Sequence, residues 1–337
     1  MASLWPPLMD AAPDLSGKVI LVTGGTGSFG RAFVDRVLAQ HAPAKLIVFS
    51  RDEQKHFAMQ RDLDDARLRF FVGDIRDRSR LMRALRGVDV VIHAAAMKHV
   101  PLAEYNPIEA IRTNVDGAAN LIDAALERDV ETVVGLSTDK AASPVNLYGA
   151  TKLCMEKLLV AANSYSGQHG PAFKLVRYGN VVGSNGSVLP LFLRQRETGV
   201  LTLTDPNMTR FWIRMDQAID LVMRTLKDGS GGEVFVPKIP ACTVATLADA
   251  VAPTAEKRVI GVRPGEKIHE LMITVDEARN VLEYERHFVI TPSFPWWGGP
   301  KREGQRVADG FRFASDIAQQ LDTPTVRAML AELGYPV

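Results

Sequence analysis

An apolar, β-branched run, Lys18-Val19-Ile20-Leu21-Val22-Thr23, leads directly into Gly24-Gly25-Thr26-Gly27-Ser28-Phe29-Gly30, and a helical pattern then extends from Ser28 to about Gln40. Gly25, Gly27 and Gly30 satisfy the G-x-G-x-x-G spacing, and Gly24, Gly27 and Gly30 the wider G-x-x-G-x-x-G. Glycine permits the tight strand-to-helix turn, brings backbone N–H groups close to a pyrophosphate and lets helix and strand pack closely. Alone the pattern is weak. Between a strand and a helix in the first βαβ unit it predicts a dinucleotide site, which Thr26, Ser28 and Phe29 of the same turn are expected to line.

The theme repeats through the first half. KVILVT, KLIVFS, LRFFVG, VDVVIHAA, ETVVGLS and AFKLVRYG are separated by stretches of helical length. This alternation predicts an α/β fold: a Rossmann-type doubly wound parallel sheet over residues 17–183. After about residue 183 the elements are shorter and broken by proline and glycine. They predict a smaller C-terminal substrate-binding domain over 184–337, with 211–236 packing back on the first. Residues 1–16 carry prolines and no periodicity and read as a mobile or loosely packed tail. The segment with Trp296 and Trp297 reads as an irregular loop.

Composition excludes several classes. Forty basic residues stand against 39 acidic, without a long basic run, so no nucleic-acid partner is expected. The two cysteines, Cys154 and Cys242, suggest neither a disulfide framework nor a thiolate metal site, and fit a cytoplasmic protein. No basic leader or 18-residue apolar stretch occurs, so neither signal peptide nor membrane span is expected. His269-Glu270 is half of a zinc pattern, but no second histidine follows at i+4. His93 and His99 lack a third ligand, and no metal is expected.

The end of the second strand, FSRDE, bears on the cofactor. An acidic side chain there favours a free ribose 2′-OH, a basic one a 2′-phosphate. Ser50 and Arg51, with Lys55 close by, favour NADP; the alternative leaves Arg51 in solvent and gives the ribose to Asp52. Asp74 and Ile75 follow the third strand and are expected to flank the adenine. Ala94 and Ala95 follow the fourth, small either because the dinucleotide passes or because helices pack closely.

Tyr148 and Lys152 are four apart in an expected helix and share a face. A phenol of pKa about 10 is a poor base at neutral pH, and an adjacent ammonium and a cationic nicotinamide favour its ionised form. Such a pair suits removal of an alcohol proton while hydride passes to a cofactor.

With the glycine turn, this Y-x-x-x-K resembles the extended short-chain dehydrogenase/reductase superfamily. Members that dehydrate nucleotide sugars with retention carry Thr-Asp-Glu at the strand end; this chain has Thr138-Asp139-Lys140. The departure resembles the PseB-type, configuration-inverting UDP-N-acetylglucosamine 4,6-dehydratases. The blocks VIHAAAMKHVPLAEYNP, LSTDKAASPVNLYGATKL, RYGNVVGSNGSV, MTRFW, GGEVFVPKIP and IGVRPGEKIHE extend the resemblance over residues 17–315.

The resemblance implies a hydro-lyase with tightly bound NADP, regenerated each cycle. Oxidation at C4 acidifies the C5 proton, and the C6 hydroxyl then leaves once protonated. Asp139 is expected to protonate that oxygen and Lys140, as a neutral amine, to take the C5 proton. Their pKa values would have to move toward neutrality, Asp139 up and Lys140 down. The plain alternative is that Asp139 caps a turn and Lys140 faces solvent. Lys98 is implied at the sugar, Asn180 at the sugar or phosphate beside the nicotinamide, Val181 at the cofactor, and Arg210, Arg263 and Glu266 at the diphosphate and uridine, with structural ion pairs as the rival reading. A homo-oligomer, dimer or hexamer, is implied, as is a step in pseudaminic acid or related surface-glycan synthesis. A nucleotide-sugar epimerase on the same fold is the alternative, against which Lys140 argues, since C4 epimerisation needs no base at C5. A non-catalytic NADP-binding regulator would be expected to lack Tyr148, Lys152 or Asp139.

Overall fold

The structure, a computed structural model, describes residues 7–9, 11–167, 170–184, 187–294 and 302–337. The loop expected around Trp296 and Trp297 lies outside the described residues. The six apolar runs form β1 (Val19–Thr23), β2 (Lys45–Ser50), β3 (Leu68–Val72), β4 (Val90–His93), β5 (Thr132–Thr138) and β6 (Ala172–Tyr178). Between them lie α1 (Ser28–Gln40), α2 (Glu53–Asp62), α3 (Arg78–Ala84), α4 (Val100–Tyr105), α5 (Pro107–Ile111) and α6 (Gly117–Glu127). Helix α7 (Leu147–Ala162) joins β5 to β6.

All six strands are parallel, in the order β3-β2-β1-β4-β5-β6. Helices cover both faces, which is why the strands are continuous apolar runs; Leu21, Val22, Val91, Ile92, Val133 and Val134 have no solvent exposure. Strand order reverses between β1 and β4, so crossovers leave in opposite directions and open a crevice at the carboxyl ends. Register aligns those ends: Thr23 stands opposite His93, and Thr138 opposite Tyr178.

The sheet does not stop at β6. Strand Val234–Pro237 pairs parallel with it, and His287–Ile290, Val281–Glu283 and Gln305–Arg306 continue antiparallel to the edge. Helix Met215–Asp228 buries Ala218, Ile219, Leu221, Val222 and Met223 in the same core as Phe173 and Leu175 of β6. A second apolar cluster, including Leu189, Phe192, Leu203, Trp212, Leu247 and Leu330, lies between the helices Val188–Arg196, Val244–Val251 and Thr323–Glu332. Among the described residues no helix is long and apolar enough to cross a membrane.

The expectation of a loose N-terminal tail is corrected for its described residues. Leu8 and Leu15 are 2% and 3% exposed. The Leu8 N–H donates to Asp220, and Arg224 donates to the Leu8 carbonyl. Each such leucine contributes about 1.5–3 kcal/mol on burial, which offsets part of the entropy of ordering the segment.

Beneath the crevice, the buried Arg177 of β6 meets two carboxylates, the buried Glu156 and the half-buried Glu277. It donates to Glu156 of α7 at 2.6 and 3.0 Å, to Glu277 at 2.9 and 3.0 Å, and to the Met272 carbonyl at 2.7 Å. Burial alone would raise the Glu277 carboxyl, but the Arg177 charge and hydrogen bonds outweigh it and hold the group below its ordinary range. Its contribution to stability is therefore complete above the ordinary glutamate pKa and is lost as pH falls through the lowered one. Replacing Arg177 by Ala would strand the buried Glu156 and the half-buried Glu277; we expect a loss of about 3–5 kcal/mol in urea unfolding at pH 7.

Candidate active site

The glycine turn sits at the carboxyl end of β1. Gly24 has φ +66°, and a Cβ there would lie 2.9 Å from backbone atoms of Ala94 and Ala95. A Cβ on Gly30 would lie 2.5 Å from the Gly25 Cα, so α1 can pack this closely on the turn only because residue 30 is glycine. Gly27 stands at the N-cap of α1 without a side-chain cap, leaving the first N–H groups of the helix for an anion. Ser28 and Phe29 open the helix, where Phe29 stacks on Phe33, and Thr26 hydrogen-bonds Ser50 at 2.9 Å. These residues fit a dinucleotide phosphate.

Around the second strand, the Asp52 side chain is occupied. It caps α2 by accepting from the Lys55 N–H at 3.0 Å and pairs with the Lys55 ammonium at 3.4 Å. Ser50 also bonds His56 at 2.9 Å, and Arg51 is exposed. Asp74 is held below its ordinary range chiefly by hydrogen bonding from Arg76 at 2.7 Å. Ile75 is buried against Gly117, where a Cβ would lie 2.7 Å from it. Ala94 is half-buried, its N–H bonded to the Thr23 carbonyl at 3.1 Å, so the close packing in its vicinity is real.

The reactive cluster forms where β5 ends in a short 3-10 turn, Asp139–Ala141. Asp139 has no solvent exposure. Its Oδ1 accepts from the Thr138 hydroxyl at 2.8 Å and from the Lys140 ammonium at 3.0 Å, while its Oδ2 has no hydrogen-bond partner in the protein. Lys140 also donates to Asn180 Oδ1 at 3.3 Å and lies 3.5 Å from Glu270 Oε1. The Arg210 Nε is 3.8 Å from that same oxygen, and Lys267 is 4.0 Å from Oε2. The structure thus gathers Asp139, Lys140, Asn180 and Arg210, and adds Glu270 and Lys267. Lys98 is exposed nearby, and Asn180-Val181 pair with Trp212-Ile213. Arg263 and Glu266 occupy an exposed turn, 3.8 Å apart, docked by Asn146 donating to the Gly265 carbonyl at 2.8 Å.

Two electrostatic expectations are corrected. The Lys140 amine does not move down: burial pushes it that way, but Asp139 and Glu270 outweigh burial and hold it above its ordinary range. The Tyr148 phenol is pushed up to about 12, because burial dominates and Asp139 adds to it, against the opposing pull of Lys140 and Thr138. Lys152 is instead turned toward Met155, donating to its Sδ at 3.0 Å, and burial lowers it to about 8 against the pull of Glu156. Among the described residues this buried amine donates a hydrogen bond only to the thioether, which leaves donors for a ribose.

Sequence reasoning missed Glu270 and Lys267. Glu270 entered only as part of a rejected zinc pattern. The available signal was a glutamate immediately before the apolar Leu271-Met272-Ile273, a carboxylate committed to burial. His269 bonds Thr209 at 2.8 Å.

Sheet order, glycine turn and the Tyr148–Lys152 helix define an extended short-chain dehydrogenase/reductase fold with a nucleotide-cofactor site. The chain belongs to the polysaccharide biosynthesis protein family, which matches residues 20–292. It is 48% identical over 311 residues to the UDP-N-acetylglucosamine 4,6-dehydratase (inverting) of Campylobacter jejuni strain 81-176, covering 89% of this chain and 93% of that one. It is 42% identical over 333 residues to the UDP-glucose 4-epimerase of Rickettsia conorii, covering 94% and 96%. Among solved structures, Pen from Bacillus thuringiensis superposes with a TM-score of 0.87 at 36% identity, over 95% of this chain and all of that one. DesIV, a dTDP-glucose 4,6-dehydratase from Streptomyces venezuelae solved with NAD and TYD, gives 0.65 at 28% identity over 74% and 86%.

Gly30→Ala must displace backbone at the cofactor turn. Overpacking of this kind costs about 1–3 kcal/mol, and we expect dinucleotide affinity to fall by about 10- to 100-fold, read by calorimetric titration.

Proposed function

We propose that the chain converts UDP-N-acetylglucosamine to UDP-2-acetamido-2,6-dideoxy-β-L-arabino-hex-4-ulose by inverting 4,6-dehydration with NADP. The observation that carries this reading is the pair at the end of β5: Asp139, fully buried with one oxygen unpartnered, 3.0 Å from the Lys140 amine. The glycine turn at Gly24, Gly27 and Gly30, the uncapped start of α1 and Lys152 would hold the dinucleotide, whose nicotinamide would supply reversible hydride transfer between C4 and C6. Tyr148 accepts the C4 hydroxyl proton; burial raises its phenol, and a cationic nicotinamide beside it would act with Lys140 in the opposite direction, favouring the ionised form.

Lys140 enters as ammonium and Asp139 as carboxylate. Passing one proton across 3.0 Å yields the amine and the acid together, and substrate lying over the pair favours these neutral forms. Lys140 then removes the C5 proton while Asp139 protonates the departing C6 oxygen, which returns both to their starting states. A proton from solvent, delivered to C5 from the opposite face, inverts it, and Tyr148 returns the C4 hydroxyl proton to solvent, which closes the cycle with net loss of one water. Lys98 and Asn180 orient the sugar; Arg210, Arg263 and Glu266 hold the diphosphate and uridine, arginine through its bidentate fit to phosphate oxygens.

NADP over NAD is supported by the commitment of Asp52 to Lys55 and to the cap of α2, leaving the exposed Arg51 for a 2′-phosphate. A homo-oligomer is supported by the exposed Leu102, Tyr105 and Ile108 on α4 and α5. The reading places the enzyme in the cytoplasm, at the first step toward pseudaminic acid or a related surface glycan. The Rickettsia relatives favour a second reading, a UDP-glucose 4-epimerase.

Proton NMR with UDP-N-acetylglucosamine in deuterated water separates the two. A new C6 methyl signal with deuterium at C5 and L-arabino couplings is expected; C4 inversion without a methyl signal would establish the epimerase. Lys140→Ala should form no product while retaining NADP, and full turnover by it would remove Lys140 from the mechanism. Arg51→Ala should weaken NADP at least tenfold more than NAD in fluorescence titrations; equal losses would return the ribose to Asp52.

A further inference from the structure

Glu270 lies 130 residues beyond Lys140 in the chain, at the threshold of strand Leu271–Ile273, yet is 2% exposed in the same cluster. Its backbone is fixed on both sides. The Glu270 N–H donates to Ser315 Oγ at 2.8 Å, and the Ser315 N–H donates to the Glu270 carbonyl at 2.9 Å. The carboxylate is thus delivered by a rigid element.

Its surroundings are cationic. Oε1 is 3.5 Å from Lys140 and 3.8 Å from Arg210; Oε2 is 4.0 Å from Lys267 and accepts no hydrogen bond. Arg210 and Lys267 are themselves tied down, Arg210 to the Thr209 and Ile268 carbonyls and Lys267 to the Ala142 carbonyl at 2.6 Å. Lys140 is the member whose other contacts, Asp139 and Asn180, belong to the reactive cluster. An ammonium has three donors, and here Asp139, Asn180 and Glu270 surround it.

We propose that Glu270 is a positioning residue of the dehydration site, a buried carboxylate that holds the Lys140 amine beside Asp139 while bridging it to Arg210. The proposal rests on the dehydratase reading for its kinetic consequences and on geometry alone for the contact. The groups acting on Lys140 are Asp139 and Glu270 as anions, Arg210, Lys98 and Lys267 as cations, and the neutral Tyr148 phenol. Glu270 favours the ammonium, so its removal favours the amine, and the amine then forms at lower pH. A glutamate that merely fastened strand Leu271–Ile273 would alter stability and leave the titration of Lys140 in place.

The test uses the full-length holoenzyme and the variants Glu270→Gln and Glu270→Asp. In wild type and Glu270→Gln, the Lys140 Nζ is followed by 15N-lysine NMR, assigned by the signal missing from Lys140→Met. Lys140 is expected to titrate at least one pH unit lower in Glu270→Gln. With UDP-N-acetylglucosamine, kcat is expected to fall at least tenfold with KM changed less, and the ascending limb of the kcat profile to move toward acid. Glu270→Asp, which keeps the charge, should leave that limb in place. An unchanged Lys140 titration in a folded, NADP-loaded Glu270→Gln enzyme overturns the proposal. If wild type does not dehydrate the sugar nucleotide, the functional reading fails, and the NMR titration still decides the Glu270–Lys140 contact.

Discussion

Parallel, in-register pairing of β1 through β6 is the constraint on which the site depends. A parallel strand is reached by a crossover, so successive strands end on the same side, and each end delivers a side chain to one crevice. Thr23, Ser50, His93, Thr138 and Tyr178 arrive in this way. His93 shows how closely the ends are coupled: its Nδ1 lies 2.8 Å from the Thr23 hydroxyl across the point where strand order reverses. Burial depresses it to about 3, so it remains a neutral strut between β1 and β4. The reactive residues are thereby held by the hydrogen-bond ladder of the sheet, and Asp139 follows β5 without an intervening loop.

Much of this was legible in the sequence, for identifiable physical reasons. Strands buried on both faces must be continuous apolar runs, and all six of the expected runs became β1 to β6. The helix expected from Ser28 to about Gln40 spans those residues, since the glycine turn fixes its start. Tyr148 and Lys152 share α7 because helical spacing is a local property. The electrostatics were only partly legible: Asp139, next to Lys140 in sequence, is the stronger of the two carboxylates that hold Lys140 charged, but the second, Glu270, is brought from 130 residues away, and the orientation of Lys152 toward Met155 leaves Tyr148 to burial. Neither can be read from spacing. The four sheet strands beyond residue 183 are short, and short strands carry little periodicity.

The cluster also has a charge balance that suits an anionic ligand. Lys98, Lys140, Lys267 and Arg210 are set against the carboxylates of Asp139 and Glu270. Cations in excess, partly shielded from water, raise the local concentration of an anion and strengthen each contact to it. The two carboxylates keep those cations from driving one another apart.

The edge of the sheet beyond β6 has a consequence for the newly made chain. Strand Val234–Pro237 covers the free side of β6, and the strands that continue past it come from residues 281–306. On the ribosome, the half of the chain that carries the cofactor turn is completed while β6 still has one side of its backbone unpaired. An open strand edge is a template for pairing with other chains, and contacts so distant in sequence close slowly. Synthesis therefore passes through an interval in which the dinucleotide-binding half is complete in sequence but incomplete as a sheet, and in which chaperones have an edge to guard.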